Sequence, residues 1–527
     1  MKFNPFKKFE PQPVEIGGKE FPRIKWYKYK SLRKLYLLNV SVLMLTSITN
    51  GFDGSMMNGL LTLVYWRDYF HHPSPSTLGL LNAIFSIGQV AAIPFIPFFA
   101  NRFGRKPVII GGTMILFVGV ALQSASVNIG MFIGARFLIG FGVIFAQNCS
   151  PLLITELAHP QHRAVLTTLY NVSWFYGAII ANWATFGTLT LKSNWAWRAP
   201  SILQAFASVT QLCFIWFVPE SPRYLIRRGH EDKARAILDR FHAESSGEEF
   251  VQMEYDEIVA TMRLEKEFGG HGIKELWATK GNRHRMIIAI SAGVFSQTGG
   301  SAIINYYISI MLDKVGITDS RTQLIINGCL TIWGYLVATT FSLQVERYGR
   351  RPLFMIGTVG ETLAMLGWSV ASARSIITGS VEPGYAMIAM LFVFQFFHDF
   401  AWSGLLIGYT VEILPYNIRS QGMSVMLMSV ALGLFFSNYV NPVGIASISW
   451  KFYICYLVWL TIQCFVVYFF YIETKNTTLE EIAKHFDGET ALVGGAAATE
   501  RARELEGQLA ISKEVELVTV EDVGNEA

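Results

Sequence analysis

Apolar stretches long enough to cross a bilayer recur along the whole chain, and no other feature restricts its fold so strongly. Twelve of them lie at about 35 to 62, 77 to 100, 107 to 126, 129 to 152, 165 to 190 and 199 to 217, then 285 to 311, 322 to 345, 352 to 373, 385 to 411, 418 to 441 and 450 to 471. Each is near the ~20 residues that a helix needs to span the hydrocarbon core. In lipid the backbone must satisfy its own hydrogen bonds, so segments of this kind form helices, and the chain reads as an all-α membrane protein. An even number of spans puts both termini on one side. The arm before the first span carries Lys7, Lys8, Lys19, Arg23, Lys25, Lys28, Lys30, Arg33 and Lys34, which marks that side as cytosolic. Arg102, Arg105 and Lys106 between spans 2 and 3, and Arg347, Arg350 and Arg351 between spans 8 and 9, fall on the same side.

Composition agrees and excludes other classes. Hydrophobic residues make up 52% of the chain and charged ones 16%, which argues against a set of soluble domains. The net charge of +4 is spread out, so no nucleic-acid face is expected. Cys149, Cys213, Cys329, Cys455 and Cys464 all sit in apolar runs without Cys-x-x-Cys spacing; buried thiols are expected, with neither a disulfide framework nor a metal site. The first thirty residues lack a short apolar core, so the first span, not a cleaved signal peptide, is expected to target the chain.

The organisation expected is a cytosolic arm (1–34), a six-helix bundle (35–218), a charged cytosolic linker with short helices (219–284), a second six-helix bundle (285–472) and a cytosolic tail (473–527). The two bundles repeat each other. Asn101-Arg-Phe-Gly-Arg-Lys-Pro107 recurs as Glu346-Arg-Tyr-Gly-Arg-Arg-Pro352, Thr155-Glu156 with Arg163 recurs as Val411-Glu412 with Arg419, and Pro219-Glu220 has an echo in Ile472-Glu473. Three motifs in one order at nearly one offset imply two related halves, and such a repeat places a substrate site near the midplane between them.

Within the first span, Asn50-Gly-Phe-Asp-Gly54 interrupts the apolar run. An intramembrane carboxylate is costly, by roughly 2.5 to 3.5 kcal/mol on insertion scales, so Asp53 must face protein or a water-filled path. Apolar surroundings favour the protonated acid and a nearby cation favours the charged one. Asp53 is therefore the candidate proton carrier, with Arg136 of span 4 as its partner; the alternative is an ion pair that only fixes helix packing.

Gly104-Arg105-Lys106, Gly349-Arg350-Arg351, Arg136-Phe-Leu-Ile-Gly-Phe-Gly142, Pro219-Glu-Ser-Pro-Arg223 and Glu473-Thr-Lys475 make the chain resemble the major facilitator superfamily (MFS), and within it the sugar porters. A narrower likeness, to fungal lactose-permease-like transporters, rests on Glu156-Leu-Ala-His-Pro160, Leu169-Tyr-Asn171, Trp195-Ala-Trp-Arg198 with Gln204, and Val315-Gly-Ile-Thr318. The resemblance implies plasma-membrane sugar uptake by alternating access, in many members coupled to protons. By position against the family, the substrate residues are Gln297, Ser301, Tyr306 and Tyr307 in span 7, Asn171 in span 5 and Trp402 in span 10, a set that combines amides with flat aromatic faces. Gly299-Gly-Ser-Ala302 departs from the subfamily's Ser-Gly-Asn-Gly, and Ser301 in place of an amide leaves the sugar open between a disaccharide and a monosaccharide.

A cytosolic gate is expected from Arg105, Glu156, Arg163 and Glu220 in one half and Arg350, Glu412, Arg419 and Glu473 in the other. Asn327 and Asn438 are expected to hydrogen-bond between helices. His398 and Asp399 interrupt span 10, either as a functional site or, as favoured from sequence, near the wet outer end of the span. The expected partners are a small sugar, protons and the lipid bilayer, with no cofactor and one chain as the transport unit. No nucleophile-and-base set appears, so no enzyme is expected. The rival readings are an MFS carrier of another metabolite and a transport-inactive sugar sensor.

Overall fold

The computed structural model describes residues 14–16, 19–22, 24–268, 273–342, 349–380, 382–474 and 485–486. Arg347 and nearly all of the tail from Lys475 onward, expected above to be cytosolic, lie outside the described residues. The long helices are α1 (Lys30–Thr62), α2 (Pro75–Phe103), α3 (Arg105–Ser124), α4 (Ile129–Leu157), α5 (Arg163–Thr188) and α6 (Trp195–Phe217) in the first half. The second half holds α7 (Lys280–Lys314), α8 (Ser320–Ser342), α9 (Arg350–Thr378), α10 (Glu382–Ile413), α11 (Tyr416–Ile448) and α12 (Lys451–Phe470). Among the described residues eleven helices are long and apolar enough by themselves to cross a membrane, and α5, at 26 residues, has the length. The one departure from an all-α chain among the described residues is a hairpin in the arm, Val14–Ile16 antiparallel to Lys19–Phe21.

Glycine sets how closely the helices approach. A Cβ on Gly51 would lie 1.9 Å from the Trp174 carbonyl oxygen, and one on Gly177 1.9 Å from that of Ile48, so α1 and α5 touch backbone to backbone. Such contact without side chains is the usual device for packing helices in lipid, where no hydrophobic force draws them together. In α7, Gly300 takes φ +116° and splits the helix into Lys280–Thr298 and Ser301–Lys314; only glycine adopts that conformation without strain. The sequence reading had a continuous span there.

Each half has its own core at the cytosolic end, one around Val40, Phe145 and Leu153, the other around Phe354, Tyr409 and Ile413. A third core crosses between the halves nearer the outer end, where Phe52, Met56 and Leu60 of α1 meet Ala302, Tyr306 and Tyr307 of α7. Hydrogen bonds follow the same division. Asn58 donates to the Ile304 carbonyl at 3.2 Å, Asn82 to the Tyr307 hydroxyl at 2.9 Å and Ser320 to the Thr62 carbonyl at 3.0 Å. Arg67, in the short helix Val64–Tyr69 that follows α1, lies 3.6 Å from Asp313 near the end of α7. These contacts close the space between the halves at the end opposite the linker.

The linker folds as Pro222–Arg227, Glu231–Leu238 and the 21-residue Glu248–Phe268, around Ile226, Ala234, Leu238, Val251 and Ile258. The third helix is longer than the short helices expected. Of the cysteines, Cys149 is buried, whereas Cys213, Cys329 and Cys455 are exposed. That corrects the expectation of buried thiols: a lipid-facing surface is as apolar as a core, so an apolar run does not tell one from the other.

Candidate functional site

Asp53 and Arg136 are both fully buried, and the Arg136 Nη1 donates to Asp53 Oδ1 at 2.5 Å. Gln204 Nε2 of α6 donates to the same oxygen at 2.8 Å, and Gln123 Nε2 of α3 donates to Gln204 Oε1 at 3.3 Å. The guanidinium carbon lies 5.1 Å from the Phe85 ring centroid, a face that favours a cation. Asp53 Oδ2 is buried and has no hydrogen-bond partner. The pair expected from sequence is thus formed inside the protein, away from lipid. Gln204 was visible as part of a family likeness, but nothing in its local sequence assigned it a role; only the fold brings α6 against α1.

The proposed substrate residues divide. Tyr306 and Tyr307 are buried at the contact between the halves. A Cβ on Gly54, next to Asp53, would meet the Tyr306 hydroxyl at 3.3 Å. Tyr307 donates to the Asn438 carbonyl at 2.5 Å while accepting from Asn82. Ser301 is buried at the start of the second α7 segment. Gln297 is half-buried at the other side of the break and donates to Ser296 Oγ at 3.3 Å; Asn171 is half-buried. Trp402 is buried against the Gln297 segment of α7. Its ring packs between Phe354 (4.9 Å between centroids) and Phe295 (6.4 Å) in the cytosolic core of the second half. A small space between the halves is lined by Ser55, Trp174, Asn305, Asn327, Thr331 and Gln395, of which none was singled out as a substrate residue.

Asn327 donates to Asn182 at 2.8 Å, and Asn182 to Thr331 at 2.7 Å, so it joins helices as expected. Asn438 does not: its side-chain nitrogen and oxygen are buried without partners, and its carbonyl makes the contact. His398 and Asp399 also depart from expectation, being 8% and 2% exposed. They lie inside the second bundle against Glu361 of α9, not in water at the outer end, because the two turns of α10 that carry them face α9 and α8.

At the ends of the bundles that carry the linker, the repeated motifs explain one another. Gly104 (φ +99°) and Gly349 (φ +92°) cap α3 and α9. Each leaves the next two backbone N–H groups pointing at a carboxylate. Arg105 and Lys106 donate to Glu220 at 3.0 and 3.1 Å, and Arg350 and Arg351 to Glu473 at 2.9 and 3.2 Å. An anion at a helix N-terminus is favoured by both the free donors and the dipole. A Cβ on either glycine would come within 2.7 Å of that carboxylate. The side chains then pair: Arg105 with Glu156 at 3.0 Å, and Arg350 with Glu412 at 3.1 and 2.7 Å. Every one of these pairs lies within a single half. Arg163 turns outward to Glu254 of the linker at 2.9 Å, and Arg419 donates to the Leu414 carbonyl at 3.2 Å.

The linker docks through a histidine cluster that sequence reading missed. His242 Nδ1 lies 2.7 Å from Glu254, and His159 Nε2 lies 3.0 Å from Ser246 Oγ while its ring stacks on Phe250 at 4.9 Å. Burial, and then the charge of His242, push His159 down to about 3. Burial works against ionisation of Glu254, but His242 and Arg163 hold it below the usual carboxylate range. Burial pushes Glu220 up against the pull of its backbone donors.

The model of the sugar (and other) transporter family matches residues 40–486. An MFS-type transporter, oryC, of Aspergillus oryzae is 28% identical over 457 residues, 84% of each chain. The sugar transport protein MST6 of Oryza sativa is 29% identical over 430 residues, 79% of this chain and 78% of that one. Among solved structures, the inward-open xylose transporter XylE of E. coli superposes with a TM-score of 0.69 at 20% identity, covering 85% of this chain and 99% of that one.

Proposed function

The chain belongs to the sugar (and other) transporter family of the MFS, and on that premise we propose that it takes up a sugar together with a proton by alternating access. The carrying observation is the buried Asp53–Arg136–Gln204 set, with Asp53 Oδ2 unpartnered. A proton that lands on Asp53 removes the charge that compensates Arg136, and a buried cation left alone is expensive. Protonated and ionised states therefore favour different packings of α1 against α4 and α6. Tyr306 lies beside Gly54, so a sugar held by Gln297, Ser301, Tyr306, Tyr307 and Asn171 would feel that change directly. Lactose- or cellobiose-type disaccharides and single hexoses or pentoses are the substrate class. Relatives named as sugar transport and hexose transport proteins support the sugar, and a neighbour of the same fold named as a proton:xylose symporter supports the proton. The cell membrane, with both termini cytosolic, and a single chain as the working unit complete the proposal.

The test is uptake of a labelled sugar panel into cells lacking their own carriers, with imposed pH steps. Wild type should concentrate at least one sugar and do so more strongly when the outside is acidified. Asp53→Asn should lose accumulation and keep sugar exchange. Accumulation retained in that variant removes Asp53 from coupling; failure with every sugar, in a carrier that moves another metabolite, removes the sugar.

A further inference from the structure

The second half contains a cluster that the transport proposal does not use. Glu361 of α9 is fully buried, and its Oε1 lies 2.9 Å from His398 Nδ1 of α10. One turn of α10 holds Asp399, whose Oδ2 accepts from Gln395 at 2.7 Å and whose Oδ1 accepts from Ser403 at 2.6 Å. On the α8 side Gly334 leaves the room: a Cβ there would meet Asp399 Oδ2 at 2.5 Å and Phe175 of the first half at 2.9 Å. On the α12 side Cys464 Sγ lies 3.5 Å from Thr362 Oγ1, and on the α7 side Gly299 faces Glu361 Oε2. The titratable groups facing the cluster among the described residues are thus Glu361, His398, Asp399 and the Cys464 thiol.

Two carboxylates and one imidazole cannot balance when all are ionised. With His398 cationic the cluster still carries one uncompensated negative charge in a buried site, and an unpaired buried charge costs several kcal/mol. Two further atoms ask for a hydrogen: Glu361 Oε2 and Gln395 Oε1 are both buried without partners. Among the described residues no group of three or more His, Cys, Asp or Glu side chains is placed to hold a metal ion. Gln395 also lines the space between the halves, which gives an approach from that space. We infer that Glu361, His398 and Asp399 form a second proton-binding site, one proton shared between two acids, open to the inter-half space through Gln395. Binding there does not require the sugar reading.

Infrared difference spectra taken on pH steps test it, using the full chain in liposomes, without sugar, in an Asp53→Asn background. A carboxyl C=O band of a buried protonated acid should appear and titrate. Either Glu361→Gln or Asp399→Asn should abolish it, because the acid that remains is then balanced by His398. His398→Gln should raise it roughly twofold, since two acids then lack any cation. Asp399→Glu should keep the band, which separates loss of the acid from loss of the fold. The inference is overturned by the absence of any band in the Asp53→Asn background, by a band that survives both acid substitutions, or by a band displaced by sodium but not by potassium. None of these outcomes bears on whether the chain carries sugar, which the uptake panel decides.

Discussion

The two bundles share an architecture but treat buried charge in opposite ways. In the first, one acid, one arginine and one amide meet around a single carboxylate oxygen: Asp53, Arg136 and Gln204 balance in charge. In the second, two acids stand with one imidazole: His398 pairs with Glu361, while Asp399 accepts only from the neutral Gln395 and Ser403. Arginine stays charged at any working pH and fixes its partner, whereas an imidazole changes charge near neutrality. A six-helix bundle can therefore house either a locked pair that a proton must break or a cluster that holds a proton by default. The cytosolic ends show the converse. There the halves agree almost atom for atom, with glycine cap, paired backbone donors and arginine–glutamate contact repeated.

Three changes probe this contrast, and the largest is in the locked pair. Arg136→Met leaves Asp53 buried and unpaired and should lower stability by roughly 3–5 kcal/mol, with much of it restored in the Asp53→Asn/Arg136→Met double variant. Thermal unfolding in detergent measures both; a double variant no more stable than the single one would show that packing, not charge, is lost. Next come the repeated cytosolic pairs. Arg350 makes two contacts to Glu412 where Arg105 makes one to Glu156, and both pairs are only partly buried. Replacement by Gln should cost about 1–3 kcal/mol, with Arg350→Gln the larger loss; equal losses would mean that the second contact carries no weight.

The smallest effect lies at the linker. His159 is depressed from 6.5 to about 3, so the unfolded chain binds the proton more readily than the folded one. Its contribution is fully present above the unfolded value and is lost as pH falls through the window between the two. The slope is at most about 1.4 kcal/mol per pH unit. Glu254 acts in the same direction at lower pH, since its affinity for a proton is reduced by folding. In His159→Phe, which keeps the stack on Phe250, the melting temperature should fall less between neutral and mildly acidic pH than in wild type. An unchanged acid slope would remove His159 from the linker's pH response.

Much of this was legible in the chain. The long helices, the repeat and the Asp53–Arg136 pair follow from apolar length and from the cost of stranding a charge, both of which are local properties. The Gly104 and Gly349 motifs were visible as repeats, but their partners Glu220 and Glu473 lie more than a hundred residues away. Their role as helix-terminus anions needed the fold. Glu361 is a lone acid in an apolar span that hydropathy does not single out, and for His398 and Asp399 the sequence leaves both a functional site and a wet outer end open. Hydropathy averages over a helix and does not tell which face looks inward. The exposed cysteines departed from expectation for the same reason, since lipid and core are equally apolar.

Sequence alone determined that this chain is a two-fold repeat of membrane helices with an acid that must be sheltered, because backbone and charge in lipid leave few alternatives. Only the tertiary structure decided which polar atoms meet. It gave Asp53 a second donor in Gln204, buried two acids with one imidazole, and kept the repeated ion pairs within their own halves. Those outcomes depend on helix rotation and close approach, which are set by glycine contacts between segments far apart in the chain.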